Sequence, residues 1–163
     1  MIPRMHMLMC FGTSCISSGA RKVKDVLVSE LAKRGLSDEV AIVETGCNGY
    51  CAGGPVMVVY PGGIFYQELT PEDMPTLVEE HVLKGRPVQR LMYHHPATKA
   101  PIPLFRDVPF FAKQTKLALH NCGKIDPQRI EDYIAADGYQ ALAKALGALG
   151  ADGVIEEMKA SGL

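Results

Sequence analysis

The sequence predicts an α/β domain with the element order βαββα, followed by a proline-rich arm and a small helical segment. Three observations predict it. Over the first half of the chain, apolar runs of strand length alternate with apolar stripes at helical spacing. Turn residues fall between those runs, Pro61-Gly62-Gly63 being the strongest of them. Two close pairs of cysteines, Cys10 with Cys15 and Cys47 with Cys51, each follow an apolar run and lie on glycine-containing loops.

Met5 to Met9 is a short apolar run that ends directly on Cys10, as a buried strand would. Thr13, Ser14, Ser17 and Ser18 supply loop polarity and an N-cap. Ala20, Val23, Val26, Leu27 and Leu31 then form a helical stripe, with Lys33 and Arg34 in its last turn and Gly35 as its stop. Val40 to Val43 is a second, mostly β-branched strand, parallel to the first across the intervening helix. Val56 to Tyr60 and Ile64 to Leu69 form a hairpin around the proline-glycine turn. Thr70 caps the next helix, with Pro71 at its first position and Asp73 completing a partial capping box. Met74, Leu77, Val78, His81 and Val82 give that helix its apolar face, and Gly85 ends it. A parallel pair with a hairpin behind it resembles the core of a thioredoxin-like sandwich. This first domain is expected over residues 1–85.

Residues 86–124 change character. Pro87, Pro96, Pro101, Pro103 and Pro109 are too dense for regular helix or a central strand, so the segment reads as a linker or extended arm, with a short strand expected at Lys116 to His120. Residues 125–163 open on Asp126-Pro127 and carry three short stripes: Ile130, Tyr133 and Ile134; Leu142, Ala145, Leu146 and Leu149; Val154, Ile155 and Met158. Three short helices of this kind make a cap and not an independent core.

The 163 residues are 47% hydrophobic and 21% charged, with a formal charge of −1. That is a globular composition without the basic field that would draw in nucleic acid or an anionic membrane. No run approaches the ~20 apolar residues of a membrane helix, so no direct membrane insertion is expected. Five cysteines and no secretory pattern at Met1 to Met9 point to the reducing cytoplasm.

Four cysteines in two close pairs read as a metal cage. A [2Fe-2S] cluster needs two thiolates on each iron, and loops at the ends of adjacent strands meet that demand: Cys10, Cys15, Cys47 and Cys51 are the expected ligands. Gly12, Gly49, Gly53 and Gly54 let backbone approach the cluster and aim amides at sulfur. Thr13 and Ser14 could add hydroxyl hydrogen bonds. Structural zinc accepts the same short spacers and is the serious rival, as a zinc-stabilised interaction or assembly module without redox chemistry. A redox dithiol usually shows Cys-x-x-Cys, which neither pair has, and would require a reactive cysteine of low pKa.

The residues also carry a resemblance. Cys10-x4-Cys15 with Cys47-x3-Cys51 on a βαββα frame resembles the thioredoxin-like [2Fe-2S] ferredoxins. Thr45-Gly-Cys-Asn-Gly-Tyr-Cys51, Gly54-Pro-Val-Met-Val-Val-Tyr-Pro61, Leu83-Lys-Gly-Arg-Pro-Val88 and Asn121-Cys-Gly-Lys-Ile-Asp-Pro127 are similar to the N-terminal part of the NADH- and flavin-binding subunit of NAD(P)-linked hydrogenases and formate dehydrogenases. Asp132-Tyr133-Ile134 and Gly138-Tyr-Gln-Ala-Leu142 resemble the start of the flavoprotein subunit of respiratory complex I. The resemblance implies an NAD(P)H dehydrogenase that passes hydride to FMN and then single electrons along iron–sulfur clusters to partner subunits. The glycine-rich loop for FMN and NADH, and the cysteines for a [4Fe-4S] centre, follow the segment matching Glu156 to Leu163 in that family and are absent from this sequence. The chain is thus expected to be a fragment or split subunit, in which 125–163 is the start of a truncated flavin-binding domain. Its expected partners are other iron–sulfur subunits, and a homodimer of the kind free-standing relatives form is compatible with it.

Other residues have weaker claims. Cys122 reads as packing, and His94 and His95 as solvated arm residues instead of a Rieske-type pair. Arg21, Lys22, Lys24, Lys33 and Arg34 read as the wet face of a helix that could also steer an acidic partner. Met5, Met7 and Met9 are expected in the core, and Phe110 and Phe111 as anchors of the arm.

Overall fold

The computed structural model describes residues 3–162; Met1, Ile2 and Leu163, at the outer bounds of the expected segments, lie outside the described residues. Two compact units divide the chain at Lys124 and Ile125.

The first unit is built on a four-stranded sheet in the order β2-β1-β3-β4, with β1 at Met5–Cys10, β2 at Val40–Thr45, β3 at Met57–Tyr60 and β4 at Ile64–Tyr66. β1 runs parallel to β2 and antiparallel to β3, and β3 pairs antiparallel with β4. α2, Ala20–Lys33, is the crossover between the parallel strands. Its stripe is buried at Ala20, Val23, Leu27 and Leu31, and Gly35 ends it in the left-handed region at φ +68°. The next helix enters through the expected cap: Thr70 and Asp73 form a full capping box, with the Thr70 amide donating to Asp73 Oδ2 at 2.8 Å. It runs through a tight turn at Pro71–Asp73, α3 at Met74–Leu77 and a wider turn at Val78–Leu83.

Strand alternation sorts the core into two layers. Met5, Met7, Met9, Met57, Val59 and Tyr66 face α2 and the helix from Pro71 to Leu83. Val58 and Phe65 face the opposite way, into a cluster with Cys10, Cys15, Val56, Val108 and Phe111. Residues after Gly85 thus cover the second face of the sheet. β5 at Tyr93–His94 pairs with β6 at Pro101–Ile102, isolated bridges tie Tyr66 to Met92 and Ile64 to Leu104, and α4 at Pro109–Ala112 brings in Phe111. Each large apolar side chain buried there stabilises the unit by roughly 1.5–3 kcal/mol. The strand expected at Lys116 to His120 does not form. The segment is turns, with Leu117 81% and Leu119 60% exposed, because no strand among the described residues lies alongside to pair with it.

The second unit holds α5 at Ile130–Ala135, α6 at Gln140–Lys144 continuing as a wide turn over Ala145–Leu149, and α7 at Gly150–Ser161. The three expected helices are present. None of their described residues is buried, and Ile134, Leu142, Leu146 and Met158 remain exposed. No helix among the described residues is long and apolar enough to cross a membrane.

Candidate metal centre

The candidate site is assembled where β1 and β2 run out. Cys10 is the last residue of β1, and its amide donates to the Val56 carbonyl at 3.1 Å. Phe11 then donates to the Thr45 carbonyl at 3.1 Å, which keeps the ends of the two parallel strands together. The polar run at 13–17, which reads as a loop, is a short helix, α1 at Thr13–Ser17, which turns Cys15 inward. Five residues are too few to show a helical period. β2 ends at Thr45, Cys47 follows on the next loop, and Cys51 opens a tight turn at Cys51–Gly53.

These elements bring the four cysteines together. Cys15 is in hydrogen-bonding contact with Cys10 and feels the charge of both Cys10 and Cys51. Cys51 is in contact with Cys47 and within electrostatic reach of Cys10. The backbone passes so close that a Cβ on Gly12 would lie 3.2 Å from Cys47 Sγ, and one on Gly54 would lie 2.9 Å from Cys15 Sγ. Glycine is required at both positions by space. All five cysteines are free thiols. Contact is closest within each pair, Cys10 with Cys15 and Cys47 with Cys51, and charge reaches across from Cys51 to Cys10 and Cys15.

The two pairs differ in environment. Cys10 and Cys15 are 3% and 1% exposed, whereas Cys47 and Cys51 are at the surface. Burial, followed by the hydrogen bond and charge of Cys10, pushes the Cys15 thiol up to about 12, opposed by the Val56 amide that donates to its sulfur. Cys51 is raised as well, chiefly by the charge of Cys47, while the Ser14 hydroxyl donates to it and opposes the shift. The Gly49 amide, at φ +85°, donates to Cys47 Sγ at 3.3 Å. Such donors stabilise thiolate over thiol and are the outer contacts that hold a metal's sulfur ligands in place.

Several other residues lie outside the four-cysteine cluster. Cys122 is half-buried, packed so that its Sγ would lie 3.6 Å from a Cβ on Gly46. His95 Nδ1 accepts the Ala97 and Thr98 amides in the β5–β6 turn. Lys24 is paired with Glu44 at 2.5 Å, and Lys33 and Arg34 with Glu30, so these cations are already partnered. Two features escaped sequence reasoning. Tyr50 sits in an aromatic cluster with Phe65, Tyr93, Phe110 and Phe111, and Asn48 is buried at 2% exposure with no partner for its amide among the described residues. The Thr-Gly-Cys-Asn-Gly-Tyr-Cys string carried both residues, but its pattern reads as an irregular solvated loop.

A family model described as thioredoxin-like [2Fe-2S] ferredoxin matches residues 2–82. A curated relative, the 2Fe-2S ferredoxin of Clostridium pasteurianum, is 35% identical over 97 residues, 55% of this chain and 95% of its own length. The NADP-reducing hydrogenase subunit HndC of Solidesulfovibrio fructosivorans is 51% identical over 51 residues, which is 31% of this chain and 10% of that subunit. Among solved structures, the thioredoxin-like [2Fe-2S] ferredoxin of Aquifex aeolicus superposes with a TM-score of 0.51 at 32% identity, over 55% of this chain and 96% of that one. Sheet order, paired thiols and these similarities agree, and the chain belongs to the thioredoxin-like [2Fe-2S] ferredoxin family.

Proposed function

We propose that this chain transfers single electrons through a [2Fe-2S] cluster held by Cys10, Cys15, Cys47 and Cys51, in the reducing cytoplasm and within an NAD(P)H-linked oxidoreductase of several subunits. The observation that carries the reading is the pairwise meeting of four thiols at one end of the sheet. A tetrahedral zinc site would draw all four sulfurs around one ion, whereas a two-iron cluster takes them two and two.

When bound, the cluster supplies a one-electron redox couple. The chain's own residues do the rest. Cys10 and Cys15 would hold the cluster from the buried side, and Cys47 and Cys51 from the surface, where a partner can approach. The Val56 and Gly49 amides and the Ser14 hydroxyl offer hydrogen bonds to sulfur, which favour the more negative, reduced state. The likeness to a hydrogenase subunit supports the multisubunit setting. FMN, NAD(P)H and a [4Fe-4S] centre would then lie in other parts of that assembly.

An anaerobic titration of the reconstituted protein with dithionite tests the reading. Visible absorbance that bleaches with one electron per chain, returns on reoxidation and gives a paramagnetic reduced state is expected. A colourless protein holding stoichiometric zinc would mean that the chain is an assembly module.

A further inference from the structure

We infer that residues 109–124, which lie beyond the family's matched region, are a clasp that holds the loop 46–51 in its metal-binding conformation and thereby slows loss of the bound metal. The inference rests on the proposed cluster only for its second half.

The loop does little to hold itself. Among the described residues, no amide or carbonyl from Gly46 to Gly49 takes part in a backbone–backbone hydrogen bond. Its internal restraint is the Gly49 amide on Cys47 Sγ, and the Tyr50 hydroxyl on Gln67 at 3.2 Å adds one tie to the sheet side. The Thr45 hydroxyl donates to the Gly46 carbonyl at 3.2 Å, and Phe65 and Tyr93 pack edge-on against the Tyr50 ring. Over Asn48 and Gly49 the arm supplies further contacts. The Phe110 ring lies over Gly49, 3.7 Å from where a Cβ would stand, and meets the Tyr50 ring edge-on at 5.2 Å between centroids. Lys116 Nζ donates to the Asn48 carbonyl at 3.4 Å. Gly123, at φ +78°, packs so tightly on the Asn48 side chain that a Cβ there would run into the amide.

The state of Asn48 shows that this contact is imposed on the loop. A side-chain amide between two metal-binding cysteines would ordinarily face water, yet here it is buried and without a partner. Such burial disfavours the loop's closed form when the loop is considered alone, so closure depends on the apolar and cationic contacts from the arm. Phe110, Lys116 and Gly123 are therefore positioning residues: they touch the loop and not the thiols.

The test compares wild type with Phe110→Ala and Lys116→Gln, both changes at side chains outside the buried core. Amide hydrogen exchange is first measured on the metal-free protein. Exchange at the Gly49 amide, which is bonded to Cys47 Sγ, should quicken by roughly tenfold in each variant while the amides of α2 keep their protection. The reconstituted variants should then lose their visible absorbance to a chelator several-fold faster than wild type, with a shifted reduction potential. Unchanged loop exchange, or exchange that rises equally in α2, overturns the clasp. So does faster loop exchange with wild-type chelator kinetics and potential. A protein that takes up no iron sinks the proposed function instead, and the exchange comparison still decides the clasp.

Discussion

The inner and outer cysteine pairs share one chemistry and have opposite surroundings. Cys10 and Cys15 come from the end of a central strand and a short helix, and are buried with their backbone in hydrogen bonds. Cys47 and Cys51 come from a loop and a tight turn and stand at the surface. On the proposed function, the difference would let a small domain both retain a cluster and use it. One half is fixed by the sheet's own packing, and the other is exposed enough to exchange electrons and relies on added cover for its shape.

The largest effect that could break this contrast is loss of a ligand. Cys15→Ser should reduce cluster content by roughly tenfold or more, because a buried hydroxyl is a poorer ligand and no water can stand in for it. Cys51→Ser at the wet edge should cost only a few-fold; iron and sulfide per chain after reconstitution measure both. Equal losses would mean that the two halves are equivalent.

A smaller but cleaner contrast lies in the metal-free thiols. Iodoacetamide followed by peptide mapping should modify Cys47 and Cys51 roughly tenfold faster than Cys10 and Cys15 in the folded protein, since access limits the buried pair. Modification of Cys15 at the rate of Cys51 would contradict the burial of the inner pair.

Titration sharpens the comparison further. Raised from its ordinary 9.0 to about 12, Cys15 should give its thiolate absorbance only in strongly alkaline solution, and Cys10→Ala should bring it down by removing a hydrogen bond and a neighbouring charge. The linked stability has a definite sign. Below pH 9.0 both folded and unfolded chains keep this proton, so its contribution is fully present. Between 9.0 and about 12 only the unfolded chain releases it, and stability of the metal-free protein falls as pH rises. Metal binding must expel the same proton, so loading should improve with pH over the physiological range.

The smallest effect is expected at Ser14. Ser14→Ala removes a hydroxyl donor from Cys51 and should lower the reduction potential by about 20–40 mV, the equivalent of a hydrogen bond worth under about 1 kcal/mol at 59 mV per tenfold. Protein-film voltammetry would read it, and a rise in potential would reverse the assigned role.

Much of this was legible in the chain. Met5, Met7 and Met9 announce one face of a strand by their alternation, and Thr70-Pro71 with Asp73 announces a helix start; both are so placed. The cysteine pairs stood out because spacing and apolar lead-in coincide. The second layer over the sheet was only partly legible: Phe111 reads as an anchor of the arm and is buried there, but what it anchors to could not be read. Val58 and Phe65 needed a partner surface, but Val108 and Phe111 lie far along the chain in a proline-rich stretch without periodicity, which reads as a linker. Asn48 was hidden for a related reason: a polar residue between glycine and cysteine gives no sign of burial. The helices after Ile125 were readable by period, yet their apolar residues stay exposed, so periodicity located the elements without supplying a core.

The central claim is that the four thiols hold a pair of metal ions, two on each. X-ray absorption at the iron edge of the reconstituted protein addresses it directly. The account predicts a shell of sulfur neighbours together with a short iron–iron vector that disappears when Cys10 and Cys15 are both replaced by serine. A metal edge showing four sulfurs around one ion and no metal–metal vector would contradict it.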